Sequence, residues 1–286
     1  MSIGMHCSAA SMAARVGRVL VACALFAMIA GCGSRFVYNR LDWISHYYLS
    51  NQVTLDDAQS RALQAELDDF FDWHRHSELP RYAGFLDRMA SDATRPVSIA
   101  QLEAGQREVE GFLRDSAARA APDAARWLDE LRPAQVDELF ANLAQKDGKA
   151  RKESCGAPLA ERREKSVRKF VDRVEEWTGE LTHAQETLIL ERYAALGRDD
   201  CEDLAARERS HLEFRALVGR YRATPQFAER IADFLAHRPV DRVDRERFLR
   251  LLVDINHSLT PDQRERTVGR LRLYAREMRG LAAETT

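Results

Sequence analysis

From Thr54 to the carboxyl end of this 286-residue chain, apolar residues recur every three or four positions and never alternate with polar ones over the length of a strand. That spacing lays one apolar stripe along a 3.6-residue helix. It is plain in Leu63, Leu67 and Phe70/Phe71, in Ile99, Leu102, Val109 and Phe112/Leu113, and in Val136, Leu139/Phe140 and Leu143. It returns in Val167, Phe170, Val174 and Trp177, and again in Val268, Leu271, Tyr274 and Met278. The expected fold is all-α, a multi-helix antiparallel bundle of about ten helices. Pro80 is expected to break or kink the first long helix, and Pro122 and Pro133 each suit a first helical turn. The pattern lapses between Asp147 and Pro158, which makes that stretch the best linker candidate within a body spanning residues 52–286.

Several helix starts share one local solution. Leu181-Thr-His-Ala-Gln185 and Leu259-Thr-Pro-Asp-Gln263 place a hydroxyl, Thr182 or Thr260, three residues before a glutamine, Gln185 or Gln263. Ser98-Ile-Ala-Gln101 is a shorter version, and Thr54-x-x-Asp57 with Gln59 and Leu131-Arg-Pro-Ala-Gln135 are looser echoes. Physically this is a capping box with a staple leucine: the hydroxyl accepts from an early backbone N–H and the glutamine reaches back to the cap. Good capping alone generates such sequences. The paired Leu-Thr-x-x-Gln motifs also resemble those of Spy/CpxP-type periplasmic proteins, and that resemblance implies a client-binding chaperone or stress-response role.

The amino terminus constrains location. Arg15 and Arg18 precede an apolar run of about a dozen residues, Val19 to Ala30, with no acidic residue before it. That is the layout of a secretion signal, too short to span a ~30 Å hydrocarbon core comfortably. Ile29-Ala-Gly-Cys32 resembles the lipobox of bacterial lipoproteins. The resemblance implies a signal peptide over residues 1–31, removal of that peptide, and acylation of Cys32 as the membrane attachment. Gly33 and Ser34 follow where an aspartate would signal inner-membrane retention, so the outer membrane, facing the periplasm, is the expected home. The alternatives are an ordinary signal peptide or an uncleaved anchor.

Residues 32–51 form the membrane-proximal segment, with Phe36, Arg40/Leu41, Ile44 and Tyr47/Tyr48 at helical spacing. Two readings stand for its aromatic face: packing on the helical body, or lying in the headgroup region beside the anchor. A cysteine followed closely by Tyr38-Asn-Arg-Leu-Asp-Trp43 resembles an uncharacterised proteobacterial lipoprotein family. It implies a helical periplasmic body and supplies no catalytic residue.

Without residues 1–31 the chain carries 41 basic and 45 acidic residues, too acidic a balance for nucleic acid to be the expected partner. An envelope protein partner or client is expected instead. Cys155 and Cys201 remain once Cys32 is assigned to lipid; in an oxidising compartment they are expected to pair, the alternative being two free thiols. Neither has the companion ligands of a metal site, and no cofactor is expected. Glu180-x-x-His183 and Glu208-x-x-His211 have a di-iron form, but Thr182 splits the first. No nucleophile elbow, phosphate loop or His-Glu-x-x-His run is present, so enzymatic activity is not expected. Between Lys146 and Arg173 ten basic residues face five acidic ones. Arg162, Arg163, Arg168 and Lys169 in that stretch make either solvated helix faces or a patch for an anionic partner.

Overall fold

The computed structural model describes residues 31–197, 199–236 and 242–284; the expected signal peptide lies outside them, apart from Gly31. All regular structure among the described residues is helical. The elements are α1 (Gly31–Tyr38), α2 (Leu41–Ser50), α3 (Asp57–Trp73), a π-helical turn (His74–Glu78), α4 (Leu79–Asp92), α5 (Ile99–Glu130) and α6 (Pro133–Cys155). They continue with α7 (Leu159–Thr178), α8 (His183–Ala194), α9 (Asp200–Tyr221), α10 (Phe227–Ala236), α11 (Arg242–Ser258) and α12 (Pro261–Ala282). None is long and apolar enough to cross a membrane.

The chain divides into two compact units that interleave in sequence. The first takes residues up to 67, 120–156 and 201–235; the second takes 68–119, 157–200 and 236–286. In the first, Tyr38, Leu41, Leu63, Leu139, Phe140 and Leu143 are buried. Phe214 bridges this core, lying edge-on to Phe140 and stacked on Phe234. In the second, Val174, Leu181, Ile189, Leu251 and Ile255 make one apolar cluster, and α12 lies along α4 over Ala90, Ala93 and Val268.

The prolines at 80 and 122 differ in outcome. At Pro80 the α-helical repeat is interrupted as expected: α3 ends at Trp73, the π-helical turn at His74–Glu78 follows, and Pro80 occupies the first turn of α4. A missing N–H costs nothing there, because first-turn amides have no partner inside the helix. Pro122 lies inside the 32-residue α5 and starts no helix. An interior proline costs about 3 kcal/mol. It is surrounded by strong helix formers, and Ala117, Ala121 and Ala125 on one face are buried, so packing carries the helix through.

Other boundaries shift by a few residues. Thr54 does not cap α3; Asp56 does, its Oδ1 accepting from Ala58 and Gln59 N–H at 3.1 and 3.0 Å. Thr54 instead donates through N and Oγ1 to the Glu138 carboxylate. The stretch from Asp147 to Cys155 belongs to α6, and only Gly156–Pro158 separates it from α7. The helix survives its polar composition because Asp147 is buried against α9 rather than solvated. Gly179 ends α7 at φ +83°, where a Cβ would also lie 3.0 Å from the Arg266 guanidinium, so glycine is needed on both counts.

Cys155 at the end of α6 is bonded to Cys201 at the start of α9, a bond between two residues of the first unit with a sequence separation of 46. In the chain-entropy model a loop of that size contributes about 4 kcal/mol. Replacing both cysteines by alanine is therefore expected to lower the urea midpoint by an amount approaching that value, and reductant is expected to do the same to the parent but nothing further to the double variant.

Candidate functional site

The glutamines at the helix starts do more than cap. In the second unit, Gln185 and Gln263 sit at the third position of α8 and α12, and both are buried. Thr182 and Thr260 hold the expected boxes: each glutamine N–H donates to its threonine Oγ1 at 3.3 Å, and each Oε1 accepts from the threonine N–H at 2.9 and 3.0 Å. The two carboxamides also face one another. Gln185 Nε2 donates to Gln263 Oε1 at 2.7 Å and Gln263 Nε2 donates to Gln185 Oε1 at 2.9 Å. The second hydrogen of each amide goes across to a carbonyl, Ser258 O from Gln185 and Glu180 O from Gln263, both at 2.8 Å. Every donor and acceptor of the two amides is used.

The first unit contains the same arrangement. Gln59 and Gln135 exchange amide bonds at 3.2 and 2.8 Å, and their second hydrogens go to Glu130 O and Thr54 O. Each Oε1 again accepts from its own cap, Asp56 N and Arg132 N. In all four cases the accepting carbonyl belongs to the residue five before a glutamine, immediately ahead of the motif leucine: Thr54, Glu130, Glu180 and Ser258. The partners are 76 residues apart in the first unit and 78 in the second. Arg132 has no side-chain acceptor, so that cap relies on Gln135 alone. Gln101 completes a box with Ser98 but is exposed.

The segment of α1 and α2 resolves into two faces. Tyr38, Leu41 and Ser45 are buried on the first unit, and His46 Nε2 reaches Ser60 on α3. On the other side Phe36, Trp43 and Tyr47 are 65%, 57% and 59% exposed. Trp43 and Tyr47 stack at 5.7 Å, and the Arg40 guanidinium lies over Phe36. The backbone at Cys32 is in α1; its side chain lies outside what is described.

Two buried polar clusters lie apart from the glutamine pairs. In the first unit Asp147 receives His211 Nδ1 at 2.6 Å and pairs with Arg207 Nε at 2.8 Å, while burial beside them pushes the Tyr48 hydroxyl up to about 12. The Glu208-x-x-His211 pair is thereby dispersed, because Glu208 pairs with Arg151 and His211 with Asp147. In the second unit His74, inside the π-helical turn, contacts Tyr82 OH at 3.3 Å and packs on Phe70, and burial holds its imidazole down to about 4. Its neighbour His76 points instead at Asp72. No trio of metal-ligating side chains converges among the described residues. A shallow cleft of about 390 Å³ in the second unit is floored by Leu196 and Leu251 and rimmed by Arg192, Arg247 and Arg250. Arg192 and Arg250 have acid partners, Asp254 and Glu246.

Most of the basic stretch on α7 is paired. Arg162 meets the buried Asp199 at 3.3 Å, Lys169 meets Asp200 at 2.5 Å, and Arg168 meets Glu164 at 3.1 Å; Arg163 lies beside Gly197.

The model of a family of unknown function, DUF6279, matches residues 51–241, two thirds of the chain. The chain belongs to that family. The DUF6279 span takes in Gln59, Gln135 and Gln185 and stops short of Gln263; it begins after the Tyr38–Trp43 segment. No curated protein and no solved structure matches the chain.

Replacing Gln185 by alanine strips the Thr182 N–H of its acceptor and leaves the half-buried Ser258 carbonyl and the buried Gln263 amide short of partners. The expected cost is roughly 2–4 kcal/mol. Adding Gln263→Ala should cost less than the sum of the singles, a coupling that a double-mutant cycle in urea reads directly. For His74 the sign follows from its depressed value: the unfolded histidine takes a proton near pH 6.5 and the folded one only near 4. Stability is therefore expected to fall, by up to ~1.4 kcal/mol per pH unit, as pH drops through that window. The difference in unfolding free energy between the parent and His74→Phe should lose that slope above pH 6.5.

Proposed function

We propose that this DUF6279 protein is a cell-envelope lipoprotein, attached through acylated Cys32, whose helical body is a non-enzymatic interaction scaffold facing the periplasm at the outer membrane. The observation that carries this reading is the order along the chain: a short apolar run with arginines before it, Ile29-Ala-Gly-Cys32, and then, with no spacer, helices α1 and α2 seated on the first unit. A linker would let the body move away from its anchor; here the body starts within ten residues of the cysteine, since Leu41 is already buried. Durable attachment needs more than one acyl chain, which a triacylated amino-terminal cysteine supplies.

The body suits a scaffold. Buried side-chain amides are spent on internal bonds, the disulfide joins α6 to α9, and the charges of α7 are largely matched within the protein. What such a surface offers a partner is fixed shape rather than a reactive group.

Cys32→Ala is expected to abolish incorporation of a tagged palmitate, to leave an uncut precursor with residues 1–31 detectable by mass, and to shift the protein from the outer-membrane to the inner-membrane fraction, held there by its apolar run. Processing and outer-membrane fractionation unchanged in that variant would refute the anchor. In-cell crosslinking of the parent chain then addresses the scaffold: one recurrent envelope partner supports it, and a broad set of partly folded proteins replaces it with client binding.

A further inference from the structure

We infer that the outer face of α1 and α2 lies in the lipid headgroup layer, so that the protein meets the membrane through a protein surface as well as through Cys32. The inference rests on the anchoring reading and adds a second, independent contact to it.

The face is defined by what the helices leave exposed. Trp43 and Tyr47 lie one turn apart on α2, and Phe36, on α1 before the break at residues 39–40, has the Arg40 guanidinium over its ring, while 38, 41 and 45 are buried. Three of the seven large hydrophobic residues exposed among the described residues, Phe36, Trp43 and Tyr47, fall within this one short segment. Scattered exposed apolar side chains are ordinary, but a contiguous stripe marks a surface that something covers.

Three observations identify a lipid surface as the occupant. The residue types are those of a bilayer interface: Trp and Tyr combine an apolar body with a polar tip, and Phe supplies depth. The charge suits anionic headgroups: Arg40 lies over the exposed Phe36 ring and Arg35 is exposed one residue before it, whereas Asp42 is turned toward Gln64 Nε2. Basic residues held at such a surface each add to adhesion within a Debye length. Position decides between a membrane and a soluble partner. Phe36 follows Cys32 by four residues and the apolar run Val19–Ala30 ends two residues before that cysteine, so the bilayer is the nearest apolar medium whether the chain is acylated or keeps its leader. Arg40 over the Phe36 ring and the Trp43–Tyr47 stack hold the stripe in one conformation, so little side-chain freedom remains to be lost on contact.

The test uses the full lipidated protein in vesicles of phosphatidylethanolamine and phosphatidylglycerol whose acyl chains carry bromine close to the headgroup. Flotation of the vesicles reports attachment; quenching of tryptophan emission reports insertion of the stripe. Trp43 is one of four tryptophans. The expected result is a partial loss of emission that Trp43→Phe abolishes without changing flotation, together with a several-fold smaller loss when Arg35 and Arg40 are both changed to glutamine. Flotation without quenching of Trp43 overturns the inference and leaves the anchor standing. Absence of both overturns both. Quenching of Trp43 in a Cys32→Ala chain mixed with the same vesicles supports the face and separates it from the lipid.

Discussion

A primary carboxamide carries two donors and an oxygen with two acceptor sites, so two of them placed head to head satisfy half of each other's needs and leave one donor and one acceptor apiece. The two glutamine pairs of this protein assign those remaining sites to backbone: the acceptor to the N-cap N–H of the glutamine's own helix, the donor to a carbonyl just ahead of the partner helix. One interaction thus ends two connections, starts two helices and fixes the helices to each other. Buried polar groups are costly when only partly satisfied, which is why the arrangement has so little tolerance: a small change in the approach of α8 and α12 would strand several groups together. In the first unit the same bonds join α3 and α6 around a less enclosed pair, Gln135 buried and Gln59 half-buried. Each unit can therefore be understood as helices arranged around one neutral, fully bonded amide pair, with the apolar stripes filling the space that pair defines.

Much of the local structure was legible in the sequence, because local structure answers to local chemistry. The Leu-Thr-x-x-Gln starts at Thr182 and Thr260 are helix starts, the three-to-four spacing does mark helices, and among the described residues regular structure is entirely helical. The looser echoes at Gln59 and Gln135 proved to be full members of the set, their caps differing only in that Asp56 or a bare backbone N–H replaces the threonine. What spacing could not reveal is which starts meet. Capping concerns residues i to i+3; the amide exchange joins residues more than seventy positions apart and appears only when the helices are in place.

The misread places share a cause as well. Pro122 and the Asp147–Cys155 stretch look like interruptions because proline and clustered polar residues disfavour helices in isolation. In the folded chain, buried alanines carry α5 past the proline, and Arg207 with His211 turns Asp147 into an interior contact between α6 and α9. At Pro80 the expected interruption takes the form of a π-helical turn, which admits a buried His74 and delivers the proline to the first turn of α4. The aromatic segment divides by face: one side is core, the other is not, and helical spacing alone could say only that two sides exist.

The amide pairs also bear on how sequences of this kind can drift. A glutamine whose partner is intact holds a buried amide in check, and one whose partner has been replaced becomes a buried liability. Selection on either member therefore depends on the state of the other, and the two positions of a pair should be retained together or lost together. The cap residues in front of them are released from that bond: Asp56, Arg132, Thr182 and Thr260 occupy the same place with three different chemistries, because the backbone N–H they all share is the part the glutamine holds.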